Sequence, residues 1–204
     1  MTETTAFRAK MGAIFLFGII ATVALFAGIA RAEPFNGLYA GADVGYETSS
    51  RLNSGGVEYG GFIGYNFKAA PALVIGIEGR IGGSTVAETI TTTTPTAITI
   101  VDNDIGLSIG GTGRIGWLPG ETTMLFVRGG YETVELNSLW TRTPRPPTTN
   151  PNPVTQDFGF WQGSATVGGG VEQLVWQRLS LRLTYDWSEG FNAHQLRAGA
   201  AWNF

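Results

Sequence analysis

RLSLRLTYDWS, residues 178–188, alternates from end to end. Leu179, Leu181, Leu183, Tyr185 and Trp187 fall on one side of an extended chain; Arg178, Ser180, Arg182, Thr184 and Asp186 fall on the other. A period of two marks a β-strand, because successive side chains point to opposite faces. One face suits hydrocarbon, while the other carries guanidinium and carboxylate groups. A tilted strand crosses a bilayer in roughly 9 to 11 residues, which is the length of this run.

Seven further segments repeat the pattern. Residues 38–47 set Leu38, Val44 and Tyr46 against Asp43 and Glu47, and 57–68 set Val57, Tyr59, Ile63, Tyr65 and Phe67 against Glu58 and Asn66. Residues 72–82 set Leu73, Ile75, Ile77 and Ile81 against Glu78 and Arg80, and 105–117 set Ile105, Leu107, Ile109, Ile115 and Trp117 against Ser108, Thr112 and Arg114. Residues 122–134 set Leu125, Val127 and Tyr131 against Arg128 and Glu132, and 160–174 set Trp161, Ala165, Val167 and Val171 against Ser164 and Glu172. The last segment, 194–204, sets Leu196, Ala198, Trp202 and Phe204 against Gln195, Arg197 and Asn203. The connections alternate in length: short at 69–71, 118–121 and 175–177; longer at 48–56, 83–104 and 135–159; modest at 189–193. Short turns at one end and long loops at the other form the pattern of an outer-membrane barrel. The fold class predicted is all-β: an eight-stranded antiparallel up-and-down transmembrane β-barrel over residues 33–204, preceded by a signal peptide.

Charge decides which face meets lipid. Arg80, Arg114, Arg128, Arg182 and Arg197 lie on the polar faces of five different segments. An Arg facing lipid at mid-membrane costs about 2–4 kcal/mol, so exposing all five would cost about 10–20 kcal/mol, comparable with the stability of a whole domain. The arginines are therefore predicted inside, with Asp43, Glu58, Glu78, Glu132, Glu172 and Asp186 beside them. Eight strands enclose a space just wide enough for side chains to fill, so the expectation is a polar plug rather than a channel. Aromatic rings sort towards the two membrane interfaces: Phe67, Trp117, Trp202 and Phe204 at the short-turn end; Tyr46, Tyr59, Tyr131, Trp161, Tyr185 and Trp187 at the loop end.

The amino terminus reads as an export signal. Arg8 and Lys10 precede an uncharged apolar run from Met11 to Ala30, and Ala30-Arg31-Ala32 supplies the small-x-small cleavage pattern. Cleavage after Ala32 is predicted. Without Arg8, Lys10, Arg31 and Glu3, the 13 basic and 16 acidic residues become 10 and 15, a net charge of -5. That balance gives no electrostatic footprint for nucleic acid. Cysteine is absent, so disulfides do not staple the fold.

The stretch GTGRIG, residues 111–116, matches the glycine pattern of dinucleotide-binding loops. That motif needs a strand before it and a helix beginning on it, and WLPGETTMLFV follows instead. Glycine followed by an aromatic recurs at 45–46, 64–65, 116–117 and 130–131. In a narrow barrel wall, glycine allows tight bending and a neighbouring ring covers the bare backbone. GTGRIG reads as wall, with Arg114 turned inward.

Taken together, the signal, FNGLYAGADVGYE at 35–47, YGGFIGYNF at 59–67, IGIEGRIGG at 75–83 and the terminal LRAGAAWNF resemble the small outer-membrane β-barrel proteins of the opacity-protein type. That group includes the outer membrane immunogenic proteins of Gram-negative bacteria. The resemblance covers essentially all of 33–204. It implies residence in the cell outer membrane, contact with its lipid and lipopolysaccharide, and Phe204 as a signal read transiently by the barrel-assembly machinery. It leaves the biochemical role open, because fold does not fix function.

Three roles are weighed. The first is a non-catalytic protein of envelope integrity and surface interaction, binding a ligand through loops 83–104 and 135–159. The second is a small nonspecific pore, against which the filled, charged lumen argues. The third is a lipid A-modifying enzyme built on His194, the one histidine, with Ser188 or Glu189 across the same hairpin. No Ser stands two residues from His194, and a rim histidine bonded to backbone is the commoner arrangement. No cofactor or metal is predicted; Asp102 and Asp104 are read as solvated loop charge.

Overall fold

The structure, a computed structural model, describes residues 33–50, 54–145 and 152–204. The predicted signal, 1–32, lies outside the described residues, as do positions 146–151 of the Thr/Pro-rich stretch. The described chain forms nine antiparallel strands: β1 (Gly37–Ser49), β2 (Ser54–Ala70), β3 (Leu73–Ser84), β4 (Ala87–Thr93), β5 (Ala97–Trp117), β6 (Thr123–Pro144), β7 (Val154–Leu174), β8 (Leu179–Ser188) and β9 (Ala193–Asn203). β9 pairs with β1 and β3 pairs with β5, so every strand but β4 joins a closed up-and-down ring of eight. Closure leaves the ring no free edge, and every ladder hydrogen bond within the membrane is satisfied between strands.

The stagger of the ring follows from the pairings. Starting at Leu38, partners run Tyr65, Ile77, Gly113, Gly129, Val167, Trp187 and His194, and return to β1 at Thr48. One circuit therefore advances the register by the 10 residues from Leu38 to Thr48. With strands about 4.7 Å apart rising roughly 3.3 Å per residue, that advance tilts them by about 40°. An even advance also preserves side-chain parity on closure: an odd one would bring outward residues of β1 back as inward ones. Leu181, Leu183 and Tyr185 accordingly lie exposed, while Ser180, Arg182, Thr184 and Asp186 are buried.

Three expectations are corrected. Segments 83–104 and 135–159 are largely strand. β4 and β5 form a hairpin over 87–104, closed at Thr94-Pro95-Thr96-Ala97, where the Thr94 N–H donates to the Ala97 carbonyl at 2.8 Å. β6 and β7 run on beyond the last pairing with β8, at Thr166 and Ser188. Threonine suits a pleated, half-solvated surface, and Pro95 occupies a turn rather than interrupting a ladder. The result is a four-stranded sheet, β4-β5-β6-β7, projecting from the long-strand end of the barrel. The third correction concerns Ile105, predicted outward but buried. Ile105 pairs with Leu136 while Ser108 pairs with Val134, so Gly106 and Leu107 together oppose Glu135. This bulge reverses the parity of β5 above it.

Glycines recur on the inner face where large side chains need room. A Cβ on Gly64 would strike the Tyr39 ring, one on Gly41 the Phe62 ring, and those on Gly60 and Gly82 the Arg80 guanidinium. Outside, the covering rings come from the adjacent strand rather than the next residue: Tyr46 lies over Gly55 and Tyr131 over Gly163.

Candidate functional site

The barrel interior concentrates the chemistry, and an apolar layer lies at each end. At the short-turn end, Phe35, Val74, Leu118, Met124 and Phe126 form a buried apolar layer with Leu174 packed on it. Phe35 sits at φ 57°, a left-handed conformation rare for a bulky residue. At the long-strand end, Val86, Ile105, Val134, Phe191 and Ala193 form a second layer. The inward turn of Ile105 at the bulge helps to build that lid.

Between the lids lies the charge network. Glu78 on β3 accepts from both Nη atoms of Arg182 (2.6 and 3.0 Å), from Arg128 Nη1 (3.1 Å) and from the Tyr39 hydroxyl (2.9 Å). Asp186 on β8 holds Arg128 and Arg197. Asp43 takes Arg80 at 2.8 Å and Arg182 at 3.9 Å. Glu58 lies 3.6 Å from Arg80 and 3.4 Å from Arg197, and Glu132 lies 3.8 Å from Arg80. Arg114 pairs with Glu172 at 3.1 Å, and Glu172 also accepts from the Ser180 hydroxyl at 2.6 Å. The structure thus brings together all eleven charged residues placed inside from the alternation. Tyr39 bridges the two parts of the network, donating to Glu78 while its ring lies 4.4 Å from the Arg114 guanidinium carbon. Arg182 stacks on Phe62 at 3.5 Å.

Four members were not singled out in the sequence: Tyr39, Glu47, Asn66 and Gln195. Asn66 accepts from Arg114 at 3.0 Å, and Gln195 donates to Glu47 at 3.4 Å. Alternation places each of them on the inward face of its strand, but only lumen charges from that face stand among the site residues expected from the sequence. Beside Glu78, Arg80, Arg128, Glu132, Asp186 and Arg197, a cavity of about 20 Å³ remains. That is room for roughly one water molecule.

On the outer wall, Tyr46, Tyr59, Phe67, Trp117, Tyr131, Tyr185 and Trp202 are exposed, and Trp187 and Phe204 are half-buried. Trp161, also exposed, stands on the projecting sheet, four residues beyond Ala165, the partner of Tyr131. His194 faces outward, its Nδ1 2.7 Å from the Tyr185 hydroxyl. Ser188 turns the other way and donates to Ser164 at 2.8 Å inside the barrel. The wall therefore lies between the serine and the histidine. Asp102 and Asp104 belong to β5 and accept from Thr89 at 2.6 Å and Asn137 at 3.3 Å. Among the described residues no three His, Cys, Asp or Glu side chains are grouped as metal ligands.

A family profile described as "Outer membrane protein beta-barrel domain" matches residues 15–204. No curated protein sequence matches the chain. Among solved structures it is similar to Neisserial surface protein A (NspA), at TM-score 0.50 and 14% identity, over 83% of this chain and 98% of that one. It is also similar to Ail, the attachment invasion locus protein of Yersinia pestis, solved with the heparin analogue sucrose octasulfate. There the TM-score is 0.50 and the identity 11%, over 82% of this chain and 99% of that one. At such identities the likeness is one of fold.

Proposed function

The chain belongs to the outer-membrane β-barrel family and resides in the bacterial outer membrane, and from that premise we propose a non-catalytic protein whose closed barrel anchors a projecting sheet for contact at the cell surface. The observation that carries this reading is the lumen, closed by an apolar layer at each end with paired charges between. A barrel so filled is an anchor. Beyond the rim stands the sheet β4-β5-β6-β7, which carries Ile90, Phe158, Phe160 and Trp161 exposed. Outer-membrane lipid meets the apolar belt and lipopolysaccharide its outer rim. Phe204 is proposed as the aromatic terminus read by the barrel-assembly machinery, and residues 1–32 as the export signal.

Two experiments test this. Purified protein in a planar bilayer should show no stable conductance steps, because a cavity of about 20 Å³ offers no continuous water path. Reproducible unitary steps would overturn the closed-anchor reading in favour of a pore. The likeness to an attachment invasion locus protein makes attachment the interaction to test first. Bacteria expressing the chain should adhere to cultured cell monolayers, and Phe158→Ser with Phe160→Ser should reduce that adhesion several-fold at equal surface display. Adhesion equal to that of cells lacking the protein would sink the surface role.

A further inference from the structure

Beyond the rim, β7 has a neighbour on one side only among the described residues. Pairing with β6 continues to Val154, whereas pairing with β8 stops at Thr166, and the Glu189 N–H donates to the Ala165 carbonyl at 3.1 Å. In an antiparallel ladder the N–H and C=O of one residue point the same way, and the direction alternates along the strand. Since Ala165 faces the β8 side, the backbone groups of Thr155, Asp157, Gly159, Trp161 and Gly163 face the open edge. Natural sheets blunt such an edge with lysine, proline or a bulge. Residues 154–163 contain neither Lys nor Pro, and their register against β6 is unbroken. The opposite edge, β4, is shorter, and the Ser54 hydroxyl donates to the Ala87 carbonyl at its base.

The two faces beside the open edge differ. Phe158 and Phe160, on the lumen-side parity, are 55% and 54% exposed. The outer-parity positions of the projecting strands carry Asp102, Asp104, Glu135 and Asp157, and no Lys or Arg among the described residues. We propose that this edge binds an extended segment of a partner protein as an added antiparallel strand, in the lane that β8 vacates, and that the segment alternates basic and apolar residues. Main-chain hydrogen bonds hold it. Its basic side chains lie on the face of Asp157, and its apolar ones extend the Phe158/Phe160 face. The proposal rests on the surface-contact reading above and specifies the partner.

The test uses folded protein in lipid nanodiscs and a synthetic decapeptide of alternating lysine and valine, with binding followed by tryptophan fluorescence. In antiparallel pairing a residue opposite Asp157 shares its side-chain face and points its N–H back at β7, so the lysine amides bond to β7. N-methylation of the lysine amides should therefore weaken binding by about tenfold or more, and N-methylation of the valine amides should leave it unchanged. Gly159→Pro removes a donor that faces the open edge and spares the β6 ladder, so the variant keeps the circular dichroism spectrum of the wild-type barrel and loses the peptide. Asp157→Lys should shift preference to an alternating glutamate and valine peptide. Equal binding of both methylated peptides, or unchanged binding to Gly159→Pro, overturns the edge site. The adhesion assay judges the broader surface role separately.

Discussion

Glu78→Ala should lower the unfolding free energy of the barrel by about 3–5 kcal/mol, the range for removing one partner from a buried ion pair. The reason is what stays behind. Arg182, with 1% of its side chain accessible, would keep only Asp43 at 3.9 Å, and Arg128 only Asp186. Tyr39 would also lose its acceptor. A guanidinium group cannot escape by losing its proton, so the barrel carries an uncompensated charge. Urea titration of protein refolded into liposomes measures the loss. Because the penalty is mostly that of the stranded arginine, adding Arg182→Met to Glu78→Ala should recover much of it. A decrease under about 1 kcal/mol would mean that the network is solvated and the lids leak, since exposed pairs contribute about that little. Glu121→Ala, at the exposed turn between β5 and β6, is the control, expected within about 0.5 kcal/mol of wild type.

How far this could be read from the chain depended on which solvent each residue meets. Within the membrane both sides of the wall impose a rule, lipid outside and packed charge inside, so the alternation of 178–188 survives intact in β8. The bulge at Gly106–Leu107 escapes such a reading because parity resumes on either side, and only the shift from Ser108–Val134 to Ile105–Leu136 reveals it. Beyond the rim the rule lapses. Water touches both faces of the projecting sheet, the threonines of β4 satisfy either face, and a strand there looks like a loop. The individual ion pairs were also illegible. Parity places Arg128 and Arg182 inside, but the advance of 10 residues per circuit decides that both reach Glu78 on β3, a strand adjacent to neither.

The strongest test of the wall as a whole is to move a charge across it by one residue. Arg182 and Leu183 are chain neighbours on β8, at the same depth, one buried among carboxylates and the other exposed on the outer wall. Leu183→Arg should destabilise the barrel in liposomes by about 2–4 kcal/mol, although the residue type already occurs one position away without that penalty. Ile77 on β3 lies at similar height and is 69% exposed. Ile77→Arg should lose a similar amount, and the pair together about 4–8 kcal/mol, because β3 and β8 are separated by β2, β1 and β9 and distant sites add. Leu183→Ala separates the effects: it removes apolar area without introducing charge, so the excess of the Arg variant over the Ala variant is the penalty of placing a guanidinium in hydrocarbon. Unfolding free energies in urea give both values. If the Arg and Ala variants prove equally stable, Leu183 does not face the hydrocarbon, and a soluble barrel with its apolar side packed against protein becomes the better description.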